Sequence, residues 1–308
     1  PDGLRQVTEY RYDGLQNVVS QVQGSLDNNG SIVLEREQQF LFDGLGRRIA
    51  EVTDPDGEAV KVQMRYDQHG NVSERIDALG NVIRAEYDLQ GRKLKQTDSL
   101  GVYTTFRYDV AGNLLQQQRF DVDHTLLSQQ HYRYDTLGRL RVSVDARGLV
   151  SAYDYDIRGN RISERQLDSN AYELGLDVAN ASLSQWLELF DNNQDGRWSY
   201  RYYNDRNQEI LRVDQAGFVI EQQYNDRAQV ARKIEYATGV EISGRPSLED
   251  LQAQIVASDA DQHQQFIYDQ AGRLVYSLDA AGYVSQIHYN AVDERIAATR
   301  YQAPLSVR

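Results

Sequence analysis

The chain has 308 residues, with 46 acidic against 33 basic side chains and a formal net charge of -13, which does not suit a nucleic-acid partner, because phosphate binding needs clustered Lys and Arg. It holds no basic amphipathic stretch for an anionic membrane and no apolar run near the roughly 18 to 20 residues that cross a bilayer, and with no Cys it has neither disulfides nor thiolate metal sites. Its 21 Tyr against 7 Phe, with 22 Gly and 4 Pro, suit pleated, half-wet strands joined by Gly turns better than a thick aliphatic core.

The chain starts at Pro1 and its one Met is Met64, so it is expected to be a segment of something longer, where a missing targeting signal carries no weight. Along it one unit recurs. A degenerate copy begins at Tyr12, and Phe42-Asp43-Gly44-Leu45-Gly46-Arg47 is the same unit with Phe for Tyr. Full copies are Tyr66-Asp67-Gln68-His69-Gly70-Asn71 and Tyr87-Asp88-Leu89-Gln90-Gly91-Arg92, then Tyr108-Asp109 with Gly112, Tyr134-Asp135 with Gly138, Tyr155-Asp156 with Gly159 and Tyr268-Asp269 with Gly272. Degenerate copies at Tyr203, Tyr224 and Tyr289 bring the total to eleven, and the 21-residue spacing of Tyr66 to Tyr87 returns five times.

A second mark, Asp-x-x-Gly, falls at Asp27/Gly30, Asp54/Gly57, Asp77/Gly80, Asp98/Gly101, Asp145/Gly148, Asp214/Gly217 and Asp279/Gly282. Asp opens a turn by accepting from backbone two residues on, and Gly closes it at positive φ. One period therefore holds two short strands and two turns, a β-hairpin per repeat. Where the first turn's Gly is replaced, Asn207 and Asp293 tolerate the left-handed region, while Gln16 and Ala228 are expected to alter the turn. Stepping back in twos from Tyr108 (Phe106, Thr104, Val102) and Tyr155 (Tyr153, Ser151, Leu149) gives an aromatic, moderately apolar face. On it, successive motif Tyr rings are expected to stack as a ladder, opposite a mostly polar face.

Two insertions interrupt the array. In 168–199, Ser182-Leu183-Ser184-Gln185 is a capping box ahead of Leu183, Trp186, Leu187 and Phe190 at helical spacing. In 237–263, Ser247 can cap a helix with the stripe Leu248, Leu251 and Ile255. Each helix is expected to cover an edge or a face of the sheet.

Chemistry-bearing patterns are scarce. His69, His124, His131, His263 and His288 stand singly, without zinc spacing, and there is no nucleophile elbow, P-loop or dinucleotide fingerprint. A pair such as Asp67 and Asp77 could serve as acid and base, but both recur as turn residues. Asp191, Asn193 and Asp195 match the first half of a calcium-binding EF-hand loop, with Tyr202 where the closing Glu belongs. The other reading of that run is a polar turn closed by Gly196. Otherwise no cofactor is expected.

The coupled Tyr-Asp-x-x-Gly-[Arg/Asn] and Asp-x-x-Gly spacing resembles the Rhs/YD-repeat family, which includes bacterial Rhs toxins, the shell components of Tc toxins and teneurins. The resemblance covers nearly the whole chain, and Tyr268 to Gly282, with Arg300 to Leu305 beyond, looks like the arrays of very large bacterial exoproteins. It implies a β ribbon that spirals into a hollow shell, often around a C-terminal toxin. The expectation is thus an all-β array over 1–308, tandem antiparallel hairpins curling as a spiral or shell wall, with two short helical insertions. It would be a non-enzymatic segment of a secreted or surface protein. Its partners would be neighbouring repeats of the parent chain and an enclosed toxin, with neither nucleic acid nor membrane insertion. The alternative is an adhesin, or a surface that binds a glycan or protein at the cell surface.

Overall fold

Strand-forming runs punctuated by Asp-opened turns produce β structure throughout. A computed structural model describes residues 6–26, 32–56, 59–192, 196–242, 244–291 and 293–304, in which there are 22 strands and two α-helices. Asp27, Gly30 and Gly57 lie outside those residues. The chain divides into two units, Pro1–His131 and Tyr132–Arg308.

The first unit holds β1 (Gln6–Tyr12), β2 (Val18–Leu26), β3 (Ile32–Phe42), β4 (Arg48–Thr53), β5 (Val60–Tyr66), β6 (Val72–Ile76), β7 (Val82–Tyr87), β8 (Lys93–Thr97), β9 (Tyr103–Tyr108) and β10 (Leu114–Phe120), and β11 (Leu126–Tyr134) begins in it. The second holds β12 (Leu140–Val144), β13 (Leu149–Tyr155), β14 (Arg161–Asn170), β15 (Arg197–Tyr203), β16 (Glu209–Val213), β17 (Val219–Tyr224), β18 (Val230–Glu235), β19 (Gln262–Tyr268), β20 (Leu274–Leu278), β21 (Val284–Tyr289) and β22 (Arg295–Arg300). Within each unit every strand pairs antiparallel with the next in sequence, as in β5–β6, β6–β7 and β7–β8. Short turns make this the nearest partner to find, so the pairing is local throughout.

The hairpins at ten motif positions carry the same irregularity. Tyr66 faces Val72 while Arg65 faces Glu74, so Ser73 is an extra residue. The shift recurs beside Tyr12, Phe42, Tyr87, Tyr108, Tyr155, Tyr203, Tyr224, Tyr268 and Tyr289. A β-bulge re-aims side chains and sharpens the local twist; here the extra residue lies on the strand after the turn, and the strand that ends at the motif Tyr keeps its alternation.

In the second unit Val150 before Tyr155, Tyr200 and Tyr202 before Tyr203, and Val219 before Tyr224 are buried. All stand at odd separations from the motif Tyr, the opposite set from the expected apolar face. In the first unit Ala50 is the only apolar side chain buried among the described residues, and β9 is half-buried along both faces except at Arg107.

The helices lie within the two expected insertions. Helix α1 (Leu183–Asn192) buries Trp186 and Phe190 against Val142, Val144, Val150 and Leu167. Its capping box is reciprocal: the Gln185 amide donates to Ser182 Oγ at 3.3 Å, and the Ser182 amide donates to Gln185 Oε1 at 2.8 Å. Helix α2 (Leu248–Gln254) is capped by Ser247 and buries Leu251 against Tyr200, Tyr202, Leu211, Val213 and Val219. The helices thus supply the second unit with the apolar cover that its strands alone lack.

Gln16 and Ala228 do not alter their turns. They sit at φ of 64° each, beside Asn207 at 64° and Asp293 at 66°. Their amides donate to Asp13 O and Asn225 O as the Gly70 amide does to Asp67 O. The turn's own hydrogen bonds outweigh the cost of about 1 kcal/mol or more for a side chain in that region.

Candidate functional site: the joint between repeats

The motif residues converge on one repeated arrangement. At the first turn Asp67 Oδ1 accepts from the amides of His69 at 2.8 Å and Asn71 at 2.9 Å, and Oδ2 accepts from Asn71 Nδ2 at 2.9 Å. Asp88 Oδ2 accepts from Arg92 Nε at 2.6 Å, and Asp135 from Arg139 Nε at 2.8 Å. Gly70, Gly91, Gly112, Gly138, Gly159 and Gly272 close these turns at positive φ. The second turns repeat the cap: Asp77 Oδ1 accepts from Leu79 and Asn81, Asp98 from Leu100 and Val102, Asp145 from Arg147 and Leu149, and Asp279 from Ala281 and Tyr283. Gly80, Gly101, Gly148 and Gly282 close those, each at φ of 84° or 85°.

The Tyr side chain then joins one hairpin to the preceding one. Tyr66 Oη donates to Arg48 O at 2.6 Å, Tyr87 to Val72 O at 3.0 Å, Tyr108 to Lys93 O at 2.9 Å, and Tyr155 to Leu140 O at 2.8 Å. Tyr224 and Tyr289 do the same to Glu209 O and Leu274 O. The acceptor is always the sixth residue after the preceding motif Tyr or Phe. Even across the insertions the bond persists, from Tyr203 to Arg161 O and from Tyr268 to Val230 O. Each helical insertion therefore loops out without breaking the joint.

The expected ring-on-ring ladder is not what packs here. Stacked or edge-on ring pairs among the described residues include Tyr103–Phe120, Tyr103–His124 and Trp198–Tyr200, and none of these three joins two motif Tyr. A guanidinium covers the motif ring instead: Arg47 over Tyr66 at 4.5 Å, Arg92 over Tyr108 at 5.0 Å, Arg139 over Tyr155 at 4.8 Å and Arg273 over Tyr289 at 4.9 Å. Arg92 Nη1 also donates to Asp109 O in the next turn at 3.1 Å. One Arg thus neutralises its own Asp, covers the next Tyr and ties the next turn.

That Arg position alternates. Counting from the first unit it reads Asn17, Arg47, Asn71, Arg92, Asn113, Arg139, Asn160. Where the motif Asp is Asn, the partner changes with it: Asn204 and Asn225 donate to Gln208 and Gln229, and Asn290 to Glu294. An amide donor needs an acceptor opposite, whereas a carboxylate needs a donor. This coupling was legible in the sequence once Asp and the fourth residue after it were read as a pair, and motif reading by type alone missed it.

The electrostatics follow from the contacts. Hydrogen bonds from the Arg47 and Asn71 side chains hold Asp43 and Asp67 below the usual carboxylate range, and Asn81 does so for Asp77. Partial burial raises the Tyr87, Tyr108, Tyr155 and Tyr224 hydroxyls. Asp67 and Asp77 cap turns at opposite ends of β6, so they do not meet as an acid and base. His124 Nδ1 pairs with Tyr103 Oη and His263 Nδ1 with Arg232 Nη2, and among the described residues no three His, Asp or Glu gather as a metal site. Of the expected calcium ligands, Asp191 lies in α1, while Asn193 and Asp195 lie outside the described residues.

The RHS Repeat family profile matches residues 42–82, 66–102 and 87–121. Residues 42–121 are therefore Rhs repeats. Curated protein sequences give no match to it. Among solved structures the chain resembles TcdB2-TccC3-Cdc42 with a TM-score of 0.61 and 14% identity, over 96% of this chain and 16% of that one. TcdB2-TccC3-TEV matches at 0.60 and 14%, again over 96% and 16%. The Photorhabdus luminescens Tc holotoxin pore is a weaker likeness, at 0.47 and 12% over 97% and 19%. The chain therefore spans about a sixth of those two chains, and at 14% identity the likeness is one of fold.

Proposed function

We propose that the chain is a non-enzymatic wall segment of a YD-repeat β-shell in a large secreted or surface protein, where it helps to enclose a toxin or other polypeptide cargo. The observation that carries this reading is the joint. At the joint between the Tyr87 and Tyr108 units the Asp88 carboxylate is occupied by its own turn, Arg92 by that Asp and the Tyr108 ring, and the Tyr108 hydroxyl by the previous hairpin. Groups engaged this way connect hairpins and leave little free for acid, base or nucleophile work. Wall continuity through 1–308, with neighbouring repeats of the parent chain on either side, follows from the same reading. So does a wall interrupted by helices only at 168–199 and 237–263.

Limited proteolysis of the complete gene product tests it. A cargo polypeptide inside a wall survives while surface linkers are cut, and deleting Tyr87–Arg107, one whole period, should expose it. Cleavage of every segment outside the repeats at the same rate in both proteins would refute enclosure. A second reading, an adhesive surface, is favoured by the glutamine-rich strands that carry Gln116, Gln117, Gln118, Gln129 and Gln130, where Gln118 donates to Gln129 across the pair. Saturable binding of the chain on a glycan array would support it.

A further inference from the structure

In the second unit, side chains three and five residues after a motif Tyr tie its turn to the next one. Arg158 Nη1 donates to Asp205 O at 2.9 Å and Asn160 Nδ2 to Asn207 Oδ1 at 2.5 Å. Arg227 Nη1 donates to Gln270 O at 2.5 Å and Gln229 Nε2 to Gly272 O at 2.7 Å. Arg206 and Gln208 hold the same two places in the joint between those, and there the ties are missing. The Arg206 side chain makes no hydrogen bond or ion pair among the described residues. Gln208 Oε1 is taken by Asn204 Nδ2 at 2.7 Å, and its Nε2 is buried without a partner.

Ala228 accounts for this. A closing Gly leaves room for the tie: a Cβ on Gly272 would stand 3.3 Å from Gln229 Nε2. A closing Asn or Asp accepts the tie instead, as Asn207 does from Asn160 and Asp293 does from Arg273 Nη1. Ala228 brings a Cβ and no acceptor. Between the turns Asn204–Gln208 and Asn225–Gln229 lies a cavity of about 490 Å³, lined by Arg206, Gln208, Tyr224 and Gln252 of α2. The tied notch that follows holds about 310 Å³.

We propose that this untied notch binds a Gly-closed turn of a partner polypeptide. The next notch shows the fit, because there the same two side-chain types hold such a turn. Arg227 and Gln229 take the carbonyls of Gln270 and Gly272, two residues apart, and an incoming turn offers Arg206 and Gln208 the same pair. A buried N–H without an acceptor is costly, and a carbonyl oxygen relieves it. Asp205 and Asp226 also line the notch, so a basic residue after the Gly, as Arg273 follows Gly272, meets opposite charge. A few hydrogen bonds in an open polar notch support a dissociation constant on the order of 1 mM. The site exists whether or not the sheet is a wall around cargo, and it uses none of the glutamines of β10 and β11.

Titrating the 308-residue chain with the turn sequence Asp269–Arg273, made as a head-to-tail cyclic peptide, tests the proposal. The readout is the side-chain amide of Gln208 in proton–nitrogen correlation spectra. It should shift saturably, with half-saturation on the order of 1 mM. Ala228→Gly and Ala228→Asn give Gln208 Nε2 room or an acceptor within the chain. Each should weaken binding at least about fivefold, with an unchanged or higher melting temperature. Gln16→Gly, a like change in another turn, should bind as wild type does. The peptide with Ser for its Arg should bind at least about twofold more weakly. No saturable shift up to about 5 mM peptide would overturn the proposal. So would binding that both Ala228 variants retain. A Gln208 shift with methyl glucoside or methyl galactoside, and none with peptide, would also overturn it and make the notch a glycan site.

Discussion

Replacing Arg92 by Asn puts into one joint the residue that the joints on either side already use at Asn71 and Asn113. The cap on Asp88 survives, because Asn71 and Asn113 reach their own Asp at 2.9 and 2.8 Å. What disappears is the guanidinium 5.0 Å from the Tyr108 ring and the 3.1 Å bond to Asp109 O. A cation–π contact at an exposed site contributes about 0.5–1 kcal/mol and a hydrogen bond about 0.5–1.5 kcal/mol net. Arg92 is 30% exposed, so water recovers part of both, and the expected loss is about 1–1.5 kcal/mol. Repeat arrays open in parts, so the assay is native-state amide exchange read strand by strand. Protection in β8 and β9 should fall about five- to tenfold, with β5 and β6 unchanged. A double-mutant cycle with Tyr108→Leu should return a coupling of about 0.5 kcal/mol or more. A loss under about 0.3 kcal/mol, or zero coupling, would refute the joint as a source of stability.

Gly101 sits at φ of 85° with Val122 Cγ1 2.9 Å from where a Cβ would stand, so Gly101→Val should destabilise by about 1–3 kcal/mol, measured as lost exchange protection in β8 and β9. Ala228→Gly, at φ of 64°, should instead stabilise the β17–β18 hairpin by about 0.5–1 kcal/mol in the same measurement. Stability should depend on acid in a defined window. Asp13, Asp43, Asp67, Asp77 and Asp269 are held below their ordinary 3.8, so the folded turns bind a proton less readily than the unfolded chain. Their contribution is therefore present above about pH 4 and lost as pH falls below it. Thermal melts should be flat from pH 7 to 5 and decline below 4. The decline should be smaller in a variant with Asn at Asp43, Asp67, Asp77 and Asp269.

Much of the fold was legible because each period is short and its punctuation is chemical. Asp and Gly mark turns by what their backbones can do, and Ser182 and Ser247 mark helix starts by the amides they cap. The bulge was not read from the sequence, although its extra residue is aliphatic at Val19, Ile49, Leu94 and Ile162, with Ser73 the exception. The face of the core was not legible either: Val150 is buried with Trp186 and Phe190 of α1, where stepping back in twos from Tyr155 placed the polar face. Gln16 and Ala228 misled for a related reason. Residue preference was weighed without the Asp13 and Asn225 frameworks that hold those turns. The Tyr ladder failed because an aromatic ring offers its face to a guanidinium as readily as to another ring, and Arg47, Arg92, Arg139 and Arg273 were nearer.

A cryo-electron microscopy map of the complete parent protein tests the central claim most directly. The wall reading predicts residues 42–121 as jointed hairpins with solvent on one sheet face and a second polypeptide segment of the parent on the other. Solvent on both faces, with the remaining polypeptide held elsewhere, would contradict it.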